Sequence, residues 1–239
     1  MSCWVVIPTY DEAENLAPLV HEVLTRVPGA RLLVVDDASP DGTGAVADAL
    51  AGIDVLHRPA RSGIGPAYVA GFAHALAAGA TQVIQMDADH SHDPADLPRL
   101  LECDADLVIG SRYVAGGGPR RLVSTAGCIY ARRLLGLRVG DLTAGLKCWR
   151  AEALETVDYA AIRSRGYVFQ VEMTYRAIRC GLRVEEVPIT FRERASGRSK
   201  MTTRVALEAA WRLPLLRLRD AGGAALVASV RRVARRYTF

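Results

Sequence analysis

Short, almost continuously apolar runs alternate with longer runs whose apolar positions recur every three or four residues. CWVVIPTY, RLLVVDDAS, IDVLHRP, TQVIQMDAD and ADLVIGSRY read as strands. NLAPLVHEVLTRV, DGTGAVADALAG, GPAYVAGFAHALAAG and PADLPRLLEC read as the helices between them. Strands that are apolar on both faces and separated by helices predict a mostly parallel sheet covered on both sides, an α/β fold. From about residue 119 the pattern turns helical and arginine-rich. RRLVSTAGCIYARRLLGL predicts a helix, DLTAGLKCWRAEAL a loop running into a helix, and GYVFQVEMTYRAIRCG an amphipathic helix. RVEEVPITFRER alternates like a strand, and TTRVALEAAWRLPLL closes the pattern as a helix. With no internal repeat and no low-complexity linker, the expectation is one domain over 1–203 and a basic helical extension over 204–239.

The polar clusters fall at one kind of place. PTYDE, DDASPDGT, DADHSH and GSRY each follow an apolar strand at its C-terminal end, the edge where open parallel sheets bind ligands. Asp36 and Asp37 follow a buried strand, where a carboxylate is costly unless something hydrogen-bonds to it. Such an acid accepts ribose hydroxyls or a base N–H, or it caps the following helix. Asp87 and Asp89 are two apart, so in extended backbone both face one side. Two oxygen ligands in that arrangement suit a hard divalent cation whose shell is completed by substrate phosphates. A lone DxD is common by chance; at this edge, beside a second acidic strand end, it gains weight. His90 and His92 lack a cysteine or third histidine nearby, and their acidic neighbours favour oxygen-loving metals over zinc. GxxxxGK[ST] and GxSxG are absent, which leaves a P-loop NTPase and a hydrolase triad without support. The glycines of SGIGPAYVAG fall short of GxGxxG, and helix–sheet packing accounts for them as well as a dinucleotide does. RERASGRSK joins Arg194, Arg198 and Lys200 in a glycine-containing loop suited to closing over a diphosphate.

Composition changes this picture in two ways. The five cysteines of the 239 residues are scattered with no CxxC pair, which suits free thiols in a reducing compartment. Charge is uneven: residues 190–239 hold 12 Lys/Arg and 3 Asp/Glu, a net +9, so with +4 overall the remainder carries −5. The basic tail is a solvated helical face or an attraction to phosphates or anionic headgroups. No signal peptide precedes the first strand and no run of about 18 apolar residues occurs. The expected location is the cytoplasm, at most peripheral at the cytoplasmic membrane face.

Taken in order, VVIPTYDEAENL, VVDDASPDGT, MDADHSHDP, DLVIGSRY, DLTAGLK, GYVFQVEM and EVPITFRERASGRSK resemble the dolichyl- or polyprenyl-phosphate mannose synthases over residues 4–203. These are inverting family 2 glycosyltransferases with a GT-A fold. The resemblance implies transfer of mannose from GDP-mannose to a polyprenyl phosphate, giving a β-mannosyl phosphate lipid, with Mg²⁺ or Mn²⁺ as cofactor and no nucleic-acid partner. It implies that Pro8, Tyr10, Glu12 and Asp37 line the nucleoside pocket. Asp87 and Asp89 would bind metal and diphosphate, with Ser91 as a third ligand. Arg194 and Lys200 would hold the donor diphosphate, and Arg112 would face the acceptor phosphate with Arg120 and Ser124. On that basis Asp89, Arg112, Arg194 and Lys200 are the candidate catalytic residues. The segment after GSRY is shorter than in the family, and Cys128 stands where the family has an asparagine. A soluble or different lipid acceptor therefore stays open, as does non-catalytic nucleotide-sugar binding. The tail, with Trp211, Leu213, Leu215 and Leu216 beside arginines, is a candidate to lie on an anionic membrane.

Overall fold

The computed structural model describes residues 2–113, 122–162, 164, 166–192 and 212–218, the side chains of 122–127 and 167 excepted. In chain order the elements are β1 (Cys3–Thr9), α1 (Ala13–Arg26), β2 (Arg31–Asp36), α2 (Thr43–Asp48), β3 (Asp54–His57), α3 (Ile64–Ala77) and β4 (Gln82–Gln85). There follow α4 (Leu97–Glu102), β5 (Leu107–Ser111), α5 (Leu122–Leu135), β6 (Lys147–Arg150), α6 (Ala151–Thr156), α7 (Gly166–Arg179) and β7 (Val184–Pro188), with a helix at 212–218.

The sheet runs β3-β2-β1-β4-β6-β5-β7, with β6 antiparallel to both neighbours and every other pair parallel. The mostly parallel α/β sheet expected from the sequence is therefore present. One strand was missed. Lys147–Arg150 reads in sequence as part of a loop and helix, because four residues are too few to display a period. In the structure it pairs Gln85 with Lys147 and Ile109 with Lys147, and so bridges β4 and β5.

Alternation along each strand divides the core in two. Trp4, Val6, Leu33 and Val35 pack on one face with Tyr68, Phe72 and Phe169, whereas Val5, Ile7, Leu32 and Val34 pack on the other with Leu16, Leu19 and Leu97. Gly71 lets α3 lie close on β1: a Cβ there would come 2.4 Å from Val6 Cγ1. That contact accounts for the second half of the SGIGPAYVAG pattern. The 212–218 helix is fixed by Leu213, which is buried in the first core, and by Arg217, which donates to the Leu134 carbonyl at the end of α5.

Candidate active site

Because β2, β1 and β4 are neighbours in the sheet, the loops leaving their C-terminal ends meet. A cleft of about 230 Å³ opens there, and Pro8, Tyr10, Glu12, Asp37, Asp87 and Asp89 all line it. Six residues proposed for the donor from sequence thus share one wall. Asp11, Ala38 and His90 take left-handed backbone angles (φ 58°, 59° and 56°), one in the loop after each of these strands. Three non-glycine residues in that region cost energy, and such strain gathers at functional sites.

The two acids of VVDDAS divide their work. Asp36 turns inward and accepts from Thr9 Oγ1 and from the Ser39 N–H and hydroxyl, closing the turn. Asp37 lines the cleft and accepts from Arg58 (2.6 Å) and from the N–H groups of Ser62 and Gly63 (2.8 and 2.7 Å). Its carboxylate is fixed before any ligand arrives. The Arg61 guanidinium lies 3.8 Å from the centroid of the Tyr10 ring, and both line the cleft. Arg61 escaped the sequence reading, although RPARSG follows a strand at the same edge as the acidic clusters.

Strand β4 stops at Gln85, so Asp87 and Asp89 lie beyond the extended backbone, in the turn that follows, and still reach one cleft. Asp87 Oδ1 accepts from the Tyr68 hydroxyl (3.1 Å), whose pKa is pushed well up by burial and by the carboxylate, so the phenol stays a donor. Asp89 Oδ1 accepts from the Ser91 N–H (3.1 Å). Ser91 itself is buried and does not line the cleft, because the left-handed turn at His90 carries the chain away. Gly145 faces Asp87, and a Cβ there would lie 2.4 Å from Asp87 Oδ2. That clearance, with two cleft-facing carboxylates, fits a hard divalent cation that takes its other ligands from substrate and water. Among the described residues no group of three or more His, Cys, Asp or Glu could hold a metal unaided. His90 Nε2–H donates to the Asn15 carbonyl (3.0 Å), and Asp93 caps the turn at Pro94–Asp96, both local roles. Burial lowers the pKa of His92, which keeps the ring neutral.

Beyond the acid pair, Arg112 makes a two-pronged ion pair with Asp141 (2.6 and 2.7 Å) and donates to Thr143 Oγ1 (2.7 Å). Burial pulls its pKa down, but the bonds to Asp141 outweigh this and the net shift is upward. Arg112 does not line the cleft; Thr143 does. Cys128 of α5 reaches Thr143 Oγ1 (3.5 Å), so the altered segment borders the site. Behind this wall Lys147 is fully buried, with its pKa lowered to about 7 by burial. Glu172 does not line the cleft: it is tied to Ser164 and Arg176.

Arg120, Arg194 and Lys200, and the side chain of Ser124, lie outside the described residues. The described chain up to Arg192 is held against the acidic loop. The Arg192 N–H donates to the Ser91 carbonyl (3.0 Å), His92 bridges Phe191, and Arg192 pairs with Asp93 (2.7 Å).

Comparison with known proteins bears on the family and the fold. A family model described as Glycosyl transferase family 2 matches residues 4–157. An undecaprenyl-phosphate mannosyltransferase of Micrococcus luteus is 49% identical over 87% of this chain and 91% of its own. A polyprenol monophosphomannose synthase of Mycolicibacterium smegmatis is 50% identical over 83% of this chain and 80% of its own. Among solved structures, glucosyl-3-phosphoglycerate synthase of Mycobacterium tuberculosis with Mn²⁺ and UDP-glucose superposes with a TM-score of 0.68 at 22% identity, covering 90% of this chain and 78% of that one. At that identity the likeness is one of fold.

Proposed function

The chain belongs to glycosyl transferase family 2 and is a glycosyltransferase, and from that premise we propose that it transfers mannose from GDP-mannose to a polyprenyl phosphate, with inversion, in a divalent-cation-dependent reaction. The observation that carries this reading is the near-50% identity to two relatives named for that acceptor class, together with a single cleft joining Asp37 to the Asp87/Asp89 pair.

Asp37 and Tyr10 hold the nucleoside. Asp87 and Asp89 would hold Mg²⁺ or Mn²⁺, which when bound would supply positive charge to offset that on the nucleoside diphosphate leaving group. Arg194 and Lys200, which follow Arg192 in sequence, add positive charge at the donor diphosphate. No strong base is required: a phosphate monoester, with a second pKa of about 6, arrives largely dianionic at neutral pH. Arg112, oriented by Asp141, with Arg120 and Ser124, offsets repulsion between the two phosphate groups on the acceptor side.

A lipid acceptor asks for a surface, and we assign that role to α5 and the C-terminal region. The exposed large apolar residues among those described are Ile129, Tyr130, Leu215 and Leu218, all on α5 and the 212–218 helix. Arg132, Arg133 and Arg217 lie beside them in sequence. No helix among the described residues is long and apolar enough to span a membrane. Attachment at an anionic surface is the mode that combination suits.

The deciding experiment supplies the purified protein with GDP-mannose, a GDP-glucose or a UDP-sugar, plus a short polyprenyl phosphate and Mg²⁺. A β-mannosyl phosphate lipid formed from GDP-mannose alone is the expected product. Turnover of a soluble phosphate acceptor in place of the lipid overturns the acceptor assignment.

A further inference from the structure

Gln170, on α7, lines the cleft while being almost wholly buried. The direction of its amide is set by a chain that starts at a donor-only group. The Trp149 indole N–H can only donate, and it donates to Gln85 Oε1 (3.0 Å). Gln85 Nε2 must then be the donor end, and it reaches the Gly145 carbonyl (3.2 Å) and Gln170 Oε1 (2.7 Å). Lys147 Nζ reaches the same Gln170 Oε1 (3.0 Å) and donates to the Gln170 carbonyl (2.9 Å). Two independent donors therefore occupy Gln170 Oε1. The amide cannot flip without setting its N–H group against the Gln85 Nε2 donor, and its Nε2 has no hydrogen-bond partner among the described residues.

Position along the sheet says what that N–H group meets. The nucleoside end of the cleft lies over β2 and β1, at Asp37 and Tyr10, and the acid pair follows β4. The next strand is β6, whose Lys147 pairs with Gln85 of β4 and holds Gln170. One step past a diphosphate held at Asp87/Asp89, a nucleotide sugar presents its hexose. We propose that Gln170 is a sugar-binding residue, whose amide N–H donates to a hydroxyl oxygen of the donor hexose, and that Lys147, Gln85 and Trp149 are positioning residues that lock it in that orientation. The inference rests on the nucleotide-sugar reading above and adds to it the residue that reads the sugar. A rigid donor suits discrimination between sugar epimers, because a hydroxyl displaced from its reach leaves the N–H unpaired.

The test is calorimetric titration with Mg²⁺ present, using GDP and GDP-mannose, on wild type, Gln170→Met and Gln170→Met/Lys147→Met. The double variant removes both polar partners together, which guards against misfolding from a stranded buried amine. The sugar's share is the ratio of GDP-mannose affinity to GDP affinity. That ratio is expected to fall about 3- to 10-fold in both variants, the value of one ordinary hydrogen bond, while GDP affinity stays within about twofold. An unchanged ratio, or an equal loss for GDP and GDP-mannose, overturns the proposal, the latter by revealing a structural or diphosphate-binding role. UDP and UDP-glucose form a second pair of arms. If wild type binds only these, the GDP-mannose reading fails while the Gln170 ratio is still measured. If wild type binds no nucleotide sugar, both fall together.

Discussion

Gly145 stands where a single added carbon would collide with Asp87: its Cβ position lies 2.4 Å from Asp87 Oδ2 and 2.9 Å from His92 Cε1. Gly145→Ala must therefore push the Asp87 carboxylate or its own backbone. A displacement near 1 Å at a reacting centre costs about 100-fold in rate. Transfer by Gly145→Ala is expected to fall by about that factor with the thermal midpoint nearly unmoved. Full transfer activity would show that Asp87 has no fixed place in the reaction.

Asp87 and Asp89 act through a shared cation in this reading, so either acid alone is not enough. Asp89→Ala is expected to lower turnover by at least about 100-fold, comparable to losing a principal electrostatic contact. Chelation of divalent ions is expected to do the same to wild type and nothing further to the variant. Mg²⁺ and Mn²⁺ titrations of the transfer rate check both statements, and undiminished turnover in Asp89→Ala would sink the mechanism.

Among the described residues, Arg112 and Asp141 form the most buried ion pair at the site, with Asp141 fully enclosed. Asp141 is itself placed by Glu186, which accepts the N–H groups of Gly140 and Asp141 (2.7 and 3.0 Å). Asp141→Ala strands a buried guanidinium, which costs about 3–5 kcal/mol. Urea unfolding is expected to show that loss, and Arg112→Met/Asp141→Ala should recover much of it without recovering transfer.

Much of this site is legible in the sequence, for a physical reason. Apolar strands followed by PTYDE, DDASPDGT and DADHSH mark one sheet edge, and buried strands rarely end in carboxylates without a use for them. What stayed hidden depends on pairing across the chain. Lys147 and Gln170 lie 23 residues apart, in segments read as a loop and an amphipathic helix, and only the β4–β6 register brings Gln85 between them. Extended backbone through Asp89 was a reasonable expectation that the left-handed His90 turn and the early end of β4 altered.

Attachment to an anionic surface has its own test. Leu215 and Leu218 are 41% and 66% exposed, on a helix whose Leu213 is buried. Because the outward pair holds no core, Leu215→Ser/Leu218→Ser is expected to keep the unfolding transition. Co-sedimentation with anionic vesicles should fall several-fold, while transfer to a detergent-dispersed acceptor persists. Equal sedimentation of wild type with anionic and neutral vesicles counts against the surface role.

Lys147 gives the protein a pH dependence of predictable sign. Burial lowers its folded pKa to about 7 from an ordinary 10.5. Between those values the unfolded chain holds a proton that the folded chain has shed, so stability attributable to this residue rises with pH. The slope approaches about 1.4 kcal/mol per pH unit within the window and vanishes below about pH 7, where both states are protonated and the full burial cost is felt. A neutral amine has two N–H bonds, matching its two acceptors on Gln170, whereas an ammonium brings a third. Subtracting Lys147→Met from wild type cancels the other titrating groups. With no divalent ion added, the wild-type-minus-variant difference in unfolding free energy is expected to increase from pH 7 to pH 8.5. A flat difference over that range would mean that Lys147 keeps its proton in the fold, and that its two bonds to Gln170 are those of a buried cation.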